Sequence, residues 1–528
     1  MIKNSELFSI KEASAWATEY LGKNVTTANI SYLVNYGKVS KVGENGSTQV
    51  VKEELVGYYS NYKSQREIEW REKLGEDLNW ALSFENLKES ETTKHVNRLH
   101  PYKGKFIPQL VEYFLDSHID KFKRDIYFKK EDIVLDPFCG SGTTLVESNE
   151  LGINAIGIDV SVFNTLISNC KVSKHDIKLL NLEINRISKL LNDFVVNSHT
   201  LDFEQELLYE LSIFNNKYFP VPDFKYQVQR KVIDGKKYGE EKANEFLPTY
   251  YKLVDKYNIE LLQPNNNSFL EKWFIKHIRR EIDFVFEEIK KVEDKKTKKI
   301  LSIILSRTMR SCRATTHADL ATLKDPIITT YYCSKHGKVC KPLFSILKWW
   351  NLYSKDTIKR LNEFDSIRTQ TTQICLTGDS RQIDIFNELE KKDKEFAQIV
   401  RNRKINGIFS SPPYVGLIDY HEQHAYSYDL FGFERKDDLE IGPLYKGQGK
   451  AAQESYVDGI SDVLINCKKY FADDYNVLLV SNDKYNLYPR IAERSGMKIV
   501  NQYKRPVLNR TEKDKGAYSE IIFHLKEK

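Results

Sequence analysis

The stretch Ser411-Pro412-Pro413-Tyr414 is the part of the sequence whose residue types most directly suggest chemistry. The apolar run Gly407 to Phe409 comes just before it and predicts a buried strand. Two adjacent prolines lack backbone N–H groups and fix φ, so the strand must end there in a rigid, extended corner. In open parallel α/β sheets, ligands bind at the carboxyl ends of strands. The corner is therefore a candidate wall of a binding site.

A glycine-rich loop is the second candidate for binding chemistry. The segment Asp136-Pro137-Phe138-Cys139-Gly140-Ser141-Gly142-Thr143 follows a predicted buried strand at 132–136 and leads into a predicted helix that ends at Leu151. Its spacing matches neither a P-loop nor a G-x-G-x-x-G fingerprint. Glycines let the backbone approach a ligand closely, and the carboxylate of Asp136 favours a cationic group.

A second acid follows the next predicted strand. Asp159 ends the strand 154–159, at the position where the acid of dinucleotide folds binds a ribose diol. The two acids and the loop together suggest a ligand that has adenosine and a positive charge but no phosphate. S-adenosylmethionine, which carries a sulfonium and an α-ammonium group, fits this description.

Four segments resemble the motifs of one enzyme family, the amino-group DNA methyltransferases. Asp136 to Thr144 resembles their motif I, DPF-x-GSGTT, and Ser411 to Tyr414 resembles their catalytic motif IV. His100 to Pro108 is similar to the family's segment before motif I, and Gly378-Asp379-Ser380 resembles motif III. The resemblance covers roughly residues 90–174 and 371–528. It implies a Rossmann-like core, S-adenosylmethionine as cofactor and double-stranded DNA as the partner.

The resemblance also implies roles for individual residues. The segment before motif I would pack against the methionine part of the cofactor, and motif III would approach the adenine. The cofactor-binding residues expected are Lys105, Phe106, Pro108, Asp136, Pro137, Phe138, Gly140, Ser141, Gly142, Thr143, Asp159, Val160, Asp379 and Ser380. The catalytic residues expected are Ser411, Pro412, Pro413 and Tyr414. No catalytic metal ion is assigned.

The double proline then has a chemical purpose. An exocyclic amine on a base is a poor nucleophile, because its lone pair is delocalised into the ring. Ser411 and the carbonyl of Pro412 can each accept a hydrogen bond from the amine, and the prolines hold that carbonyl rigidly. Tyr414 would stack on a base swung out of the duplex. Ser at the first position is associated in the family with cytosine N4, so we expect N4-cytosine over N6-adenine methylation.

The predicted core is interrupted by a long insertion. Residues 66–174 are assigned to a connector and the first part of the methyltransferase core, and residues 371–528 to its second part. Residues 175–370 are predicted to form a mostly helical insertion that serves target recognition. One of its helices is predicted from Phe269 to Glu293. The motif order is the segment before motif I, then I and II, the insertion, and then III and IV.

Residues 1–65 predict a small separate unit. Ser9 to Glu12 forms a capping box that starts a helix, and a second helix at 28–36 ends at Gly37. A hairpin is expected from 38–42 and 48–51 around a turn at 44–46. The pattern resembles winged helix-turn-helix units of the excisionase and MerR type. Such a unit would present Asn29, Ser31, Tyr32 and Asn35 to the major groove; a docking domain without DNA contact is the alternative.

Two further groups of residues have ligand-like spacing. Cys333-x2-His336-x3-Cys340 offers three soft metal ligands, and Cys312 or His317 could complete a zinc site, although a second Cys pair is missing. The sequence leaves zinc binding there open. His421 and His424 lie three apart on a predicted helix, where they could face substrate or phosphate or simply cap the sheet.

Bulk composition limits the remaining possibilities. The chain has 528 residues, 41% of them apolar and 29% charged, with a net charge of +6 and seven scattered cysteines. These values predict a globular cytoplasmic protein of two or three domains, with no secretory signal and no membrane span. A cognate restriction endonuclease is a possible partner, and the sequence assigns no oligomeric state. An RNA methyltransferase and a non-catalytic DNA-binding regulator are the alternatives left open.

Overall fold

The computed structural model describes most of the chain. The described residues are 6–21, 25–35, 37–43, 48–60, 65–87, 90–265, 267–316, 325–508 and 516–528. The strands are β1 (Leu7–Ser9), β2 (Lys41–Val42), β3 (Gln49–Val51), β4 (Ile133–Asp136), β5 (Asn154–Asp159), β6 (Tyr331–Cys333), β7 (Lys338–Cys340), β8 (Gln373–Thr377), β9 (Ile405–Ser410), β10 (Phe471–Ser481), β11 (Met497–Pro506) and β12 (Ser519–Glu527).

The helices flank these strands along the whole chain. They are α1 (Ile10–Leu21), α2 (Thr27–Asn35), α3 (Lys52–Ser60), α4 (Gln65–Leu74), α5 (Pro108–Leu115), α6 (Thr143–Glu150), α7 (Val162–Val172), α8 (Ile177–Asn197), α9 (Thr200–Tyr218), α10 (Asp223–Gln229), α11 (Gly235–Lys256), α12 (Phe269–Trp273), α13 (Lys276–Lys290), α14 (Lys295–Cys312), α15 (Leu347–Asp365), α16 (Ile385–Lys392), α17 (Lys394–Arg403), α18 (Ala425–Phe431), α19 (Lys450–Lys468) and α20 (Tyr488–Arg494).

Among the described residues, seven strands form the central sheet in the order β11-β12-β10-β9-β4-β5-β8. The pairs from β10 through β9, β4 and β5 to β8 are parallel, and β12 runs antiparallel to both β10 and β11. Alternate residues of β4 enter different apolar clusters: Ile133 and Leu135 lie on one face and Val134 on the other. Both faces are therefore covered, as parallel sheets require, and the expected Rossmann-like α/β core is confirmed.

The centre of the sheet brings two distant parts of the sequence together. Strand β9 lies beside β4, with Gly407 opposite Val134 and Ile408 opposite Leu135. Gly407 has φ +149°, and a Cβ there would come within 1.8 Å of the Asn476 carbonyl oxygen on β10. Only glycine fits this register. The carboxyl ends of β4 and β9 consequently lie side by side, at the point where the strand order reverses.

The segment between α7 and β8 is mostly helical and packs onto the core. Helices α8 to α15 contribute to the same apolar cluster as α6 and α7. The single helix predicted from Phe269 to Glu293 is wrong, because the chain is extended at Phe274 and Ile275 between α12 and α13. The carbonyl oxygen of Trp273 is taken by the N–H of Ala314, a tertiary contact that local periodicity does not encode.

The N-terminal unit has its own small core, formed by α1, α2, α3 and the sheet β1-β3-β2. The capping box is present, since Ser9 and Glu12 each accept a hydrogen bond from the other's N–H. Strand β1 was not predicted, and the turn expected at 44–46 lies outside the described residues. The two helices and the hairpin have the predicted order, whereas the winged helix-turn-helix assignment remains a prediction.

Three further features bear on the fold. The edge strand β11 was not predicted from the sequence. Short 3-10 turns occur at Trp80–Ser83, His95–Arg98, Glu422–His424, Asp437–Leu439 and Leu444–Lys446. Of the helices in the described part of the chain, none is long and apolar enough to cross a membrane.

Candidate active site

A cavity of about 850 Å³ lies at the carboxyl ends of the central strands. Most of the residues predicted for cofactor binding and catalysis line it together: Lys105, Phe106, Asp136, Pro137, Phe138, Gly140, Ser141, Thr143, Asp159, Val160, Asp379, Ser380, Ser411 and Pro413. The glycine loop and the proline corner therefore share one cavity.

Four predicted residues do not line this cavity. Pro108 is buried at the first turn of α5, and Pro412 is buried beneath the corner. Gly142 caps α6 with φ +77°, and a Cβ there would come within 3 Å of Ser168. Tyr414 faces a different cavity. The side chains of Pro108 and Pro412 and the cap at Gly142 support the walls from behind.

The glycine loop is shaped by contacts on both sides. Gly140 has φ +51°, and a Cβ there would lie 3.0 Å from the ring of Tyr102. Its N–H donates to Asp159 Oδ2 at 2.8 Å, and its carbonyl accepts from Ser168 Oγ at 2.9 Å. The loop backbone is thus fixed against Asp159 and Ser168, leaving a cradle for a ligand.

Two of the carboxyl groups that line the cavity lie at strand ends, Asp136 on β4 and Asp159 on β5. Asp136 accepts hydrogen bonds from Ser410 Oγ at 2.5 Å and from the N–H of Phe138 at 3.2 Å. Asp159 Oδ1 accepts from the N–H of Ser161 and from the side chain of Asn164. Burial raises the pKa of each acid to about 6, and the hydrogen bonds offset this in part. A cation in the cavity would favour the ionised form of both.

Lys105 adds a basic group to the same cavity. Its Nζ donates to the carbonyl of Asn97 at 2.9 Å, and the side chain of Asn97 donates to the buried Glu147 at 2.8 Å. Burial lowers the pKa of Lys105 to about 8, helped by the positive charges of Arg98 and Arg307. An anionic ligand group beside Lys105 would favour its protonated form.

Motif III closes another part of the wall. Ser380 Oγ donates to the carbonyl of Pro137 at 2.6 Å, which joins motif III to motif I. Asp379 forms an ion pair with Arg381 at 2.8 Å. Asp379 therefore enters the cavity as a partly neutralised acceptor, a setting suited to receiving hydrogen bonds from a neutral ring amine.

A segment returns over the cavity after the proline corner, and of its residues the sequence analysis raised only His421, as one that could face substrate. Tyr420, His421, Leu439, Glu440 and Ile441 all line the wall. The ring of His421 is hydrogen-bonded through Nδ1 to Glu440, whose carboxylate also accepts from the N–H groups of Tyr420 and His421. In the sequence, His421 and His424 lie between Tyr420 and Tyr426, and no motif there indicates which side chain faces the cavity.

Tyr102 was also missed, although it lies within the segment that resembles the family's region before motif I. Its ring is stacked near those of Tyr420, at 6.1 Å, and His424, at 5.9 Å. His424 is 2% exposed, and burial lowers its pKa to about 3. The hypothesis that His424 faces phosphate is therefore wrong, because it is a neutral ring in the core, and only His421 reaches the cavity.

Tyr414 lines a second cavity of about 590 Å³, on the other side of the proline corner. Its hydroxyl donates to Glu520 Oε1 at 2.7 Å. The rest of that wall combines aromatic and polar side chains: Tyr456, Tyr485, Tyr488, Tyr518, Gln448, Ser481, Asn482 and Asp483. Ser411 and Pro413 belong to the first cavity, so the four-residue corner separates the two.

The strand order and the cavity at the carboxyl edge define a Rossmann-like α/β protein with a site for an adenosine-type ligand. A family model described as DNA methylase, N6_N4_Mtase, matches residues 18–164. The type II methyltransferase M.MjaII of Methanocaldococcus jannaschii is 47% identical over 526 residues, 99% of this chain and 97% of that protein. The type II methyltransferase M.MvaI of Kocuria varians is 31% identical over 166 residues, 31% of this chain and 32% of that protein.

The chain belongs to this family of type II amino-methyltransferases, the N6/N4 DNA methylases, whose cofactor is S-adenosylmethionine. Among solved structures, the rRNA methyltransferase aviRa from Streptomyces viridochromogenes matches with a TM-score of 0.29 and 8% identity, covering 83% of this chain and 93% of that one. That TM-score is too low to inform the fold or the substrate of this chain.

Proposed function

We propose that the chain methylates the exocyclic amine of a flipped base in double-stranded DNA, and that the base is cytosine, modified at N4. The observation that carries the proposal is the position of the proline corner between two cavities. Ser411 and Pro413 line the larger one, beside Asp136 and the glycine loop, and Tyr414 lines the smaller one. A methyl donor on one side and a base on the other would meet at Ser411.

The residues around the larger cavity suit S-adenosylmethionine. The carboxylate of Asp136 would attract the cationic end of the cofactor, and Lys105 would pair with its carboxylate. Asp159 keeps acceptor capacity on Oδ2 for a ribose hydroxyl, because the N–H of Gly140 occupies one of its two lone pairs. Val160 and Asp379 would flank the adenine. When bound, the cofactor supplies an electrophilic methyl group.

The chain's own groups would prepare the amine. The hydroxyl of Ser411 and the carbonyl of Pro412 would each accept one amine hydrogen, turning the lone pair toward the larger cavity. Pro412 and Pro413 fix the backbone, so this arrangement costs little entropy on binding. Tyr414 would stack on the base from the second cavity, with its ring held in place by the hydrogen bond to Glu520.

The proposed preference for cytosine over adenine rests on the serine at position 411. A serine hydroxyl at this position is the form associated with cytosine N4, which favours that product over N6-methyladenine. Polar groups in the second cavity, such as Gln448 and Asn482, would contact the edge of the base. Methylation of adenine is the alternative outcome of the same chemistry.

The DNA would be held by parts of the chain outside the core. We propose that the N-terminal unit contacts the duplex through α2 and that residues 175–370 read the target sequence. Tyr32 is 43% exposed on α2. The side-chain oxygen of Asn29 accepts hydrogen bonds from the N–H and the hydroxyl of Thr26. Asn29 could therefore offer DNA only its amide nitrogen. We also propose a cognate endonuclease, in keeping with the type II name of the relatives.

The test is incubation of the full chain with methyl-labelled cofactor and either duplex DNA of mixed sequence or RNA. The nucleosides released afterwards are identified by mass spectrometry. We expect label in DNA alone, as N4-methylcytosine, and loss of label with Ser411→Ala. Label in N6-methyladenine would overturn the base assignment only. Label in RNA alone, or the absence of any methylated exocyclic amine in the DNA of a host that expresses the chain, would overturn the whole proposal.

A further inference from the structure

A β-hairpin far from the catalytic cavity carries three soft metal ligands. Strands β6 and β7 pair with Tyr331 opposite Cys340 and Cys333 opposite Lys338. The turn between them closes with a 2.7 Å hydrogen bond from the N–H of Gly337 to the carbonyl of Cys333. Gly337 has φ +63°, a conformation that suits glycine, and it directly follows His336. This tight turn brings the side chains of Cys333 and His336 to the same end of the hairpin.

We propose that Cys333, His336 and Cys340 bind a zinc ion. One ligand atom from each residue lies within 4.8 Å of the others. His336 Nδ1 and Cys340 Sγ are 3.4 Å apart. In a tetrahedral site with Zn–S near 2.3 Å and Zn–N near 2.0–2.1 Å, that separation is about 3.6 Å. His336 and Cys340 are thus spaced almost as a bound zinc would hold them, and the ligand atom of Cys333 lies within 4.8 Å of both.

The types of the three ligands and their spacing in the sequence also favour zinc over other metal ions. Two thiolates and one imidazole are the donors that zinc prefers, and both Cys-x2-His and His-x3-Cys fall within the ligand spacings of zinc sites. The described residues supply three ligands, and His317, offered by the sequence as a fourth, lies outside them. Binding would release one proton from each thiol, and both electron pairs would go to the metal. No oxidation is involved.

The hairpin's place in the fold indicates what the metal would stabilise. A two-stranded hairpin with three residues in each strand is marginal by itself. It is anchored on one side by Asn215, whose side chain bonds both the N–H and the carbonyl of Val339. The turn contacts α10 through Lys225, whose Nζ donates to the carbonyl of Lys335 at 3.4 Å. Zinc would tie the turn, through Cys333 and His336, to strand β7, through Cys340.

A turn held by zinc would also support the N-terminal unit, because α10 contacts both. Tyr226, the neighbour of Lys225, accepts a hydrogen bond from the N–H of Lys41 at 3.0 Å and donates toward the carbonyl of Val39 at 3.2 Å. Helix α10 thus lies between the hairpin and the N-terminal unit. The metal would act as a structural part of the insertion, separate from the methyl-transfer chemistry.

The experiment measures metal content and ligand type in the purified full chain. Elemental analysis after expression with added zinc is expected to give about one zinc per chain. The double variant Cys333→Ser/Cys340→Ser should lose zinc affinity by more than the roughly 10–100-fold that loss of an outer-shell partner costs. Cys467→Ala removes a buried cysteine on α19 and should keep the full zinc content.

Cobalt substitution covers the case in which the double variant fails to fold. The wild-type chain loaded with Co²⁺ should show sulfur-to-metal charge-transfer absorption and the visible bands of a tetrahedral ion. His336→Cys should keep the metal and strengthen the charge-transfer absorption, because a third sulfur joins the site. A folded wild-type chain that takes up neither zinc nor cobalt would overturn the proposal. So would an unchanged cobalt spectrum in His336→Cys or full zinc content in the double variant.

Discussion

The hydroxyl of Ser410 donates a 2.5 Å hydrogen bond to Oδ1 of Asp136, across 274 positions of sequence. Ser410 is the last residue of β9, directly before the proline corner, and Asp136 is the last residue of β4. The bond joins the strand that leads to the predicted catalytic residues with the strand that opens the glycine loop. Both partners are buried, so the bond fixes the carboxylate with little competition from water.

Ser410→Ala should therefore weaken cofactor binding. Hydrogen bonds to a charged group contribute about 1.5–3 kcal/mol, which corresponds to a roughly tenfold to hundredfold rise in the cofactor Kd. Calorimetric titration with S-adenosylmethionine measures this. The matched control is Ser461→Ala, which removes a buried hydroxyl that has no hydrogen-bond partner among the described residues. Equal cofactor affinities in the two variants would contradict the role given to Ser410.

Cofactor affinity should depend on pH through the two acids of the cavity. The pKa values of Asp136 and Asp159 are raised to about 6 without a bound cation. Ionised Asp136 attracts the cationic end of the cofactor, and ionised Asp159 accepts the ribose hydroxyl, so cofactor affinity should rise with pH through about 6 and level off near about 7. Below that window the affinity should fall by up to about a hundredfold per unit, since a proton competes at each acid.

S-adenosylhomocysteine is the control for this pH dependence, because it lacks the sulfonium charge. Its affinity should change less steeply with pH over the same range. A cofactor affinity that stays constant between about pH 5 and 7.5 would show that Asp136 does not face the cationic end.

Gly140→Ala should disrupt the glycine loop. The residue has φ +51°, and a new Cβ would lie 3.0 Å from the ring of Tyr102. The left-handed conformation costs an alanine about 1–2 kcal/mol, and displacement of Tyr102 would distort the cavity as well. Thermal unfolding and cofactor titration should both show a loss. Gly57→Ala, in an exposed turn of α3 with nothing within 4 Å of the added Cβ, should show none.

Tyr414 should act on the DNA substrate and not on the cofactor. Stacking on a base contributes about 1–3 kcal/mol, so Tyr414→Ala should lower kcat/KM for DNA by about 5- to 150-fold. Tyr414→Phe keeps the ring and loses only the bond to Glu520, so its activity should stay within a few-fold of wild type. Initial rates with labelled cofactor measure both. A cofactor Kd that rises as much as kcat/KM falls would refute this assignment.

Much of the core could be predicted because its strands are buried on both faces. Such strands appear in the sequence as short apolar runs, which predicted β4, β5 and β9 within a few residues. Strand β11 lies at the sheet edge and carries Asn501, Gln502 and Lys504, so it has no apolar run to detect. Local pattern also failed at Phe274, where a contact with a distant segment ends the helix.

The cavity could be predicted only where its residues sit in short motifs. The glycine loop, Asp159 and the proline corner are each set by local sequence next to a strand end. Tyr420, His421 and Glu440 reach the wall through a loop that returns over the sheet, held by the buried His421–Glu440 contact. Such a return depends on tertiary packing, and no spacing rule in the sequence encodes it.

The central claim is that one cavity, shared by the Gly140 loop and the Ser411 corner, holds the methyl donor. A crystal structure of the full chain with S-adenosylhomocysteine tests it most directly. The account predicts adenine beside Val160 and Asp379, ribose at Asp159, and the sulfur facing Ser411 at the border with the cavity of Tyr414. A ligand bound elsewhere, or one whose sulfur points away from Ser411, would contradict it.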